Sequence, residues 1–309
     1  MRRILFVSLF ISAACLSTLH ISRADGLSAP ERQVVISRDF SGSPLPKWEN
    51  GYFVAHEASS PRIYAFDRTG RMIFSSELAI PDAARVIVHD MAASPDGGFG
   101  AAGSAYSAGG AGTAFIAWLD PSGACKRIVR TYPFSARRIS FTIDGTLWAF
   151  GREHTAEFEE VAEHNVLRRY GPDGFLLKSL LSRQSFPRYD RRHPMVGSFL
   201  VSSPDRLGLY STAAKEWVEV SFSGDVLGRW KGAEVPLVVG VALTPSGLVY
   251  LAGQQPVGRG KQQVVLYRLD KATGLWQALD SPGMTILGTD ENYIIAAYKL
   301  PQVGWVRAE

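Results

Sequence analysis

Five turn glycines recur about 50 residues apart along this chain, and that period limits the possible folds more than any other feature. Phe66-Asp67-Arg68-Thr69-Gly70 is followed by Leu119-Asp120-Pro121-Ser122-Gly123 and Tyr170-Gly171-Pro172-Asp173-Gly174. Val220-Ser221-Phe222-Ser223-Gly224 and Leu269-Asp270-Lys271-Ala272-Thr273-Gly274 complete the series. Such a turn needs one residue at positive φ, which glycine adopts without a Cβ penalty, and an Asp or Ser that can bond its own backbone. A second set of turns falls between the first. It comprises Asn50-Gly51, Ser94-Pro95-Asp96-Gly97, Ile143-Asp144-Gly145, Ser203-Pro204-Asp205, Thr244-Pro245-Ser246-Gly247 and Asp290-Glu291-Asn292. An apolar, strand-like run follows each of these six. Every unit therefore reads as strand A, turn, strand B, loop, strand C, turn, strand D. Four antiparallel strands in a repeat of this length are a propeller blade.

The expected fold is an all-β, six-bladed propeller over residues 33–309. Residues 33–40 alternate like a strand, whereas the last unit, 283–309, lacks a fourth strand. The N-terminal strand is expected to supply it, closing the ring within one blade and removing the free sheet edges. The blades are placed at about 46–80, 85–132, 136–182, 195–231, 237–280 and 283–309 with 33–41. A closed ring without edges is expected to be a monomer.

Residues 1–24 read as a signal peptide and 25–32 as a flexible lead. Arg2 and Arg3 precede an apolar run from Ile4, and Ser22-Arg23-Ala24 offers a small-residue cleavage site. The run is short for a bilayer span, so no integral membrane segment is expected after cleavage. Export to the periplasm or medium is the main expectation, and a lipid anchor through Cys15 is the alternative. Cleavage takes Arg2, Arg3 and Arg23 away and leaves 30 basic against 29 acidic residues. A near-neutral chain gives no electrostatic basis for nucleic-acid binding. Of the two cysteines only Cys125 would remain, so no internal disulfide is expected.

The stretch Arg62-Ile63-Tyr64-Ala65-Phe66-Asp67, with Gly70, resembles the repeat of NHL-type propellers, in which a strand ending in Val-Phe-Asp leads to a turn glycine. The other blades match more loosely, and blade 4 keeps only its glycine. The resemblance implies a six-bladed propeller and leaves function open, because that fold carries enzymes, binders and scaffolds alike.

The A–B and C–D turns are short, whereas 104–112, 152–165 and 254–263 (B–C) and 79–85 and 183–194 (D–A) read as longer loops. Long loops on a rigid frame usually carry binding, so a ligand site is expected on that face at the channel mouth. The segment 152–164 is rich in Glu, and its part 156–162 suits one or two helical turns. The segment 183–193 carries Arg183, Arg188, Arg191 and Arg192 with Phe186 and Tyr189 between them. The two are expected either to pair as a flap, with Phe158, Phe186 and Tyr189 as its apolar support, or to offer guanidinium groups to a carboxylate or phosphate. Arg85, Arg137, Arg138 and Arg152 near inner-strand ends join this candidate ligand set.

His56, His89 and His193 come from three blades and are the candidate metal ligands, since imidazole binds zinc readily. His89-Asp90 is not expected to pair directly, because neighbours on a strand face opposite ways. A lactonase-type calcium set would draw on Glu57, Asn165 and Asp90, and the residues around them lack that family's motifs. Gly109-Gly110-Ala111-Gly112 has no following Gly-Lys-Ser/Thr and reads as a loop tip. Trp118, Trp148, Trp217, Trp230 and Trp276 are expected to pack between blades. The leading functional expectation is a binding or scaffold propeller without a cofactor, engaging a protein, peptide or saccharide. The alternative is a lactonase-like hydrolase or a lyase with a divalent metal in the channel.

Overall fold

A computed structural model describes residues 27, 29–38, 40, 44–155, 159–186, 198–258, 261–281 and 283–308. Twenty-four strands run in chain order from β1 (Arg32–Val35). Blade 1 is β2 (Lys47–Glu49), β3 (Tyr52–His56), β4 (Arg62–Phe66) and β5 (Met72–Glu77). Blade 2 is β6 (Arg85–Ala93), β7 (Phe99–Tyr106), β8 (Gly112–Leu119) and β9 (Cys125–Arg130). Blade 3 is β10 (Phe134–Phe141), β11 (Leu147–Glu153), β12 (Asn165–Tyr170) and β13 (Leu176–Ser182). Blade 4 is β14 (Phe199–Ser202), β15 (Arg206–Ser211), β16 (Glu216–Ser221) and β17 (Val226–Lys231). Blade 5 is β18 (Leu237–Leu243), β19 (Val249–Pro256), β20 (Gln262–Asp270) and β21 (Leu275–Leu279). Blade 6 is β22 (Thr285–Asp290), β23 (Tyr293–Lys299) and β24 (Gln302–Arg307), with β1 as its outer strand.

Six four-stranded antiparallel sheets result, and the protein is an all-β six-bladed propeller. Their first strands β2, β6, β10, β14, β18 and β22 touch in turn and form the inner ring. The closure expected from the sequence is present: β1 pairs antiparallel with β24, from Arg32 opposite Trp305 to Val35 opposite Gln302.

The turn chemistry is that of Asx turns. Asp67 Oδ1 accepts from the backbone of Thr69 (2.8 Å) and Arg71 (3.1 Å), and Asp120 Oδ1 does the same for Ser122 (2.8 Å) and Ala124 (3.0 Å). Their glycines have a second duty. A Cβ on Gly123 would stand 2.5 Å from Phe74 on the outer strand of blade 1, and one on Gly224 would stand 2.6 Å from Leu180 of blade 3. Each C–D turn thus seats against the outer strand of the preceding blade.

The core is six apolar layers, one between each pair of neighbouring blades. Trp148 and Trp217 are fully buried in such layers and Trp118 nearly so. Trp230 and Trp276 pack at the edge of the layer between blades 4 and 5, with their indole N–H groups on Lys271 O (3.1 Å) and Lys231 O (2.7 Å). Two loop expectations are corrected. Strands β7 and β8 run to a five-residue turn at 107–111, and β19 and β20 extend across Gln255 opposite Gln263 and Pro256 opposite Gln262. Polar Ser and Gln residues there pair as hairpin ends, because a hairpin beyond the core can be polar on both faces and still satisfy its backbone. The long connections of the B–C and D–A face therefore concentrate at blade 3. Residues 159–162 are not helical: Glu160 forms an isolated antiparallel bridge with His154. Among the described residues no helix is long and apolar enough to cross a membrane.

Candidate functional site

The inner strands begin on the face of the B–C and D–A connections, and there the channel opens into a cavity of about 220 Å³. Its lining is split. Its polar groups, Lys47, His56, Asp90 and Arg138, all come from blades 1 to 3, beside Val54, Ala55 and Met91, whereas blades 4 to 6 supply only apolar side chains, among them Val201, Val239, Val241 and Ile286. Pro44-Leu45-Pro46, leading into β2, makes part of the rim.

The polar wall is held by an ion cluster that joins three blades. Lys47 Nζ donates to Ile139 O at 2.7 Å and lies 3.5 Å from Asp90 Oδ2 and 3.3 Å from Glu49 Oε2. Asp90 Oδ2 also accepts from Ile139 N at 2.8 Å. Glu49 is buried and accepts from Ala93 N and Phe141 N, both at 3.1 Å, and from the Ser140 hydroxyl. Burial pushes its carboxyl pKa up, against the pull of Lys47. One ammonium faces two carboxylates here, and backbone N–H groups with the Ser140 hydroxyl satisfy the rest of their oxygens, as burial requires.

Arg138 is different. Its Nε donates to Ser198 O at 2.6 Å, and Nη1 reaches Arg137 O at 2.9 Å and His89 O at 3.3 Å. Three carbonyls orient the guanidinium, and among the described residues no carboxylate pairs with it. His56 beside it has Nδ1 3.0 Å from Glu57 O, and burial lowers its pKa.

A bulge shapes the inner strands. Register breaks between Val88 and Asp90 in β6 and between Ala136 and Arg138 in β10, so His89 and Arg137 are the inserted residues. Strands β18 and β22 break in the same way around Val239 and Leu287. Bulges re-aim side chains. His89 leaves the channel wall, meets Ser104 Oγ at 2.9 Å through Nε2, and lies against Arg137 Nη1 at 2.9–3.2 Å. Asp90 turns instead to Lys47. The Ser104–His89 pair is not an activated nucleophile. Burial, then the charges of Arg137, His56, Arg138 and Arg152, push the imidazole pKa down to about 3. So weak a base does not take a serine proton near neutrality.

The expected site residues divide into groups. Arg138 lines the channel mouth. Arg137 and Arg152 meet in a second pocket, between blades 2 and 3. Arg85 is exposed and sits 5.7 Å from the Tyr106 ring centre. Arg183 pairs with Glu160 at 3.1 Å, and Gln184 reaches Glu163 at 3.2 Å, so the Glu-rich and Arg-rich segments do meet here. Phe186 is buried beneath them. Arg188, Arg191, Arg192 and His193, like Glu157, Phe158 and Tyr189, lie outside the described residues. His56 and His89 are neighbours, His89 O facing the His56 ring. Glu57, Asp90 and Asn165 are apart: Glu57 binds Arg38 (2.9 Å) and Tyr64 (2.6 Å), and Asn165 opens the third strand of blade 3. Among the described residues no three His, Cys, Asp or Glu side chains form a metal-binding group.

Sequence reasoning passed over Lys47 and Glu49. Two charges two apart on a strand entering a channel are the available signal, since such residues share a face. It also passed over Glu219, fully buried between Arg206 (3.1 Å), Lys271 (2.6 Å) and the Trp217 indole (3.0 Å). The opposite channel end holds a wider cavity of about 310 Å³. Two of its polar groups are engaged in the frame: Asn50 Nδ2 donates to Ala93 O at 2.7 Å, and Asp290 binds Arg68 at 2.6 Å and the Trp305 indole at 3.0 Å.

No family model and no curated protein matches the sequence. Among solved structures, a gluconolactonase from Xanthomonas campestris is similar at TM-score 0.53 and 15% identity, over 94% of this chain and 93% of that one. A streptogramin B lyase is similar at TM-score 0.50 and 14% identity, over 90% and 87%. A GH74 xyloglucanase from Xanthomonas campestris matches at TM-score 0.51 and 12% identity, over 86% of this chain and 43% of that one. At these identities the likeness is one of fold.

Proposed function

We propose that this chain is an exported, non-catalytic propeller that binds a partner protein or peptide on its long-loop face and takes an amphipathic anchor of that partner into the channel mouth. The observation that carries this reading is the split lining of the mouth cavity. Its aliphatic wall suits an apolar side chain. Arg138, positioned by carbonyls and without a carboxylate of its own among the described residues, suits an acidic group beside that side chain. Buried anchors in a central pocket are where binding energy concentrates. The enzymatic alternative draws less from the same geometry, because Lys47, Glu49 and Asp90 are tied to each other and to backbone N–H groups, and His89 is too weak a base.

The reading needs no cofactor. Export is supported by Arg2-Arg3 and the apolar run that follows, and kinship with NHL-type propellers by Arg62, Ile63, Phe66, Asp67 and Gly70.

The test is to pan the purified protein against a random peptide library, beside a Val239→Arg variant that fills the cavity and is checked by thermal melt. Recovered peptides are expected to carry an aliphatic residue next to Asp, Glu or a C-terminus, and the variant is expected to lose them. Equal recovery by a folded variant would overturn the channel-mouth reading.

A further inference from the structure

A second cavity, of about 120 Å³, opens on the same face between blades 2 and 3. The bulged strands β6 and β10 separate it from the channel, so its occupancy is independent of any anchor in the channel mouth. Two guanidinium groups from blade 3 line it. Arg137 enters because it is the inserted residue of β10, and Arg152 because it stands opposite Ser135 near the end of β11. Arg152 Nε is buried without a hydrogen-bond partner among the described residues, and there Arg152 forms no ion pair. Nε itself is closed to solvent, so an acceptor from outside is met by the rest of the guanidinium, which pairs best with an anion. The neighbourhood is cationic throughout, since Arg137, Arg138 and Arg152 together help to hold buried His89 neutral.

We propose that this pocket is a subsite for a uronic-acid sugar, with its carboxylate between Arg137 and Arg152 and its hydroxyls on the hydroxyl side chains around them. The planar fork of arginine matches a carboxylate. Tyr106, Thr113 and Tyr132 add hydroxyls able to donate and to accept, as a sugar hydroxyl requires, beside Ser104, which is held by His89. The Tyr132 ring is half exposed at the rim, at 50%, and offers a face to the sugar's C–H groups. An acidic peptide fits less well. A bound peptide commonly adds to an open strand edge, and the strands here are already paired, Ala105 with Thr113, Tyr106 with Gly112 and Ser135 with Arg152.

The test is calorimetric titration of the full-length protein with sodium glucuronate, beside methyl glucoside and an acidic hexapeptide. Saturable binding of glucuronate, with none of the neutral glucoside, is expected. Arg152→Gln is expected to weaken it by about ten-fold or more with an unchanged melting temperature. Tyr132→Ala, at the exposed rim, is expected to weaken it as well. Glucuronate that does not saturate, a folded Arg152→Gln that binds it equally, or a glucoside that competes with it would each overturn the proposal. So would saturable binding of the acidic peptide in place of glucuronate.

Discussion

At the scale of single residues, the repeat glycines answer two demands at once. Gly70 has φ 81°, and a Cβ there would stand 2.4 Å from Val35 O on the strand that closes the ring. Gly51 has φ 89° with nothing within 4 Å of such a Cβ. Gly70→Ala is therefore expected to lose more than the roughly 1–3 kcal/mol of a strained backbone conformation alone, and Gly51→Ala only that strain. Urea unfolding of the two variants gives the comparison. Equal losses would show that the close approach of the blades carries no energy. The spacing of these glycines made the turns legible in the sequence. It did not reveal the neighbour each one seats against, because that neighbour lies in another blade.

At the scale of elements, β1 does the closing, and its attachments are several. Beside its ladder with β24, Glu31 takes Arg307 (2.9 Å) and Tyr293 (2.9 Å), and Arg32 lies 4.6 Å from the Trp305 ring centre. Just beyond it, Ser37 N donates to Gly70 O at 3.0 Å, and Arg38 pairs with Glu57 at 2.9 Å and stacks 3.6 Å from the Tyr64 ring centre. Removing the chain through Phe40 leaves β24 an open edge, a template for pairing with another chain. The truncated protein is expected to melt lower and to associate, as light scattering would record. A monomer with the full-length midpoint would contradict this. The missing fourth strand of blade 6 and the alternation of residues 33–40 made this closure legible. The bulges were not. An inserted residue such as His89 or Arg137 leaves the order of residue types almost unchanged while reversing which side chain faces the channel. That is why His89, a candidate ligand from its place near the start of an inner strand, stands instead against Ser104 and Arg137. The Lys47–Glu49–Asp90 cluster was hidden for a related reason, since its members meet only when blades 1 to 3 are brought together.

Across the whole molecule, the ring is chemically uneven: at the channel mouth every charged group comes from blades 1 to 3, and blades 4 to 6 supply only apolar side chains. That unevenness sets its response to acid. His89 has a folded pKa of about 3, depressed from 6.5 by burial and by the guanidinium groups around it. Burial lowers that of His56 too. As pH falls below 6.5 the unfolded chain takes up protons that these buried imidazoles refuse, so stability is lost progressively down to about pH 3. For His89 the slope approaches ~1.4 kcal/mol per pH unit inside that window. Glu57 acts lower. Hydrogen bonds from Ser60, Tyr64 and Arg38 bring its carboxyl down to about 2 from 4.5, so its contribution is present above 4.5 and fades only below it. Solvent screening keeps that contribution small at its partly exposed position. Between pH 6.5 and 4.5 the buried histidines lose stability as pH falls, while Glu49, whose buried carboxyl is pushed above 4.5, acts in the opposite sense. Urea midpoints measured from pH 6.5 to 4.5 are expected to fall for the native chain and less steeply for His89→Asn, whose remaining slope is the balance of His56 and Glu49. Parallel curves for the two proteins would mean that His89 is not held neutral by the cationic wall of blades 2 and 3.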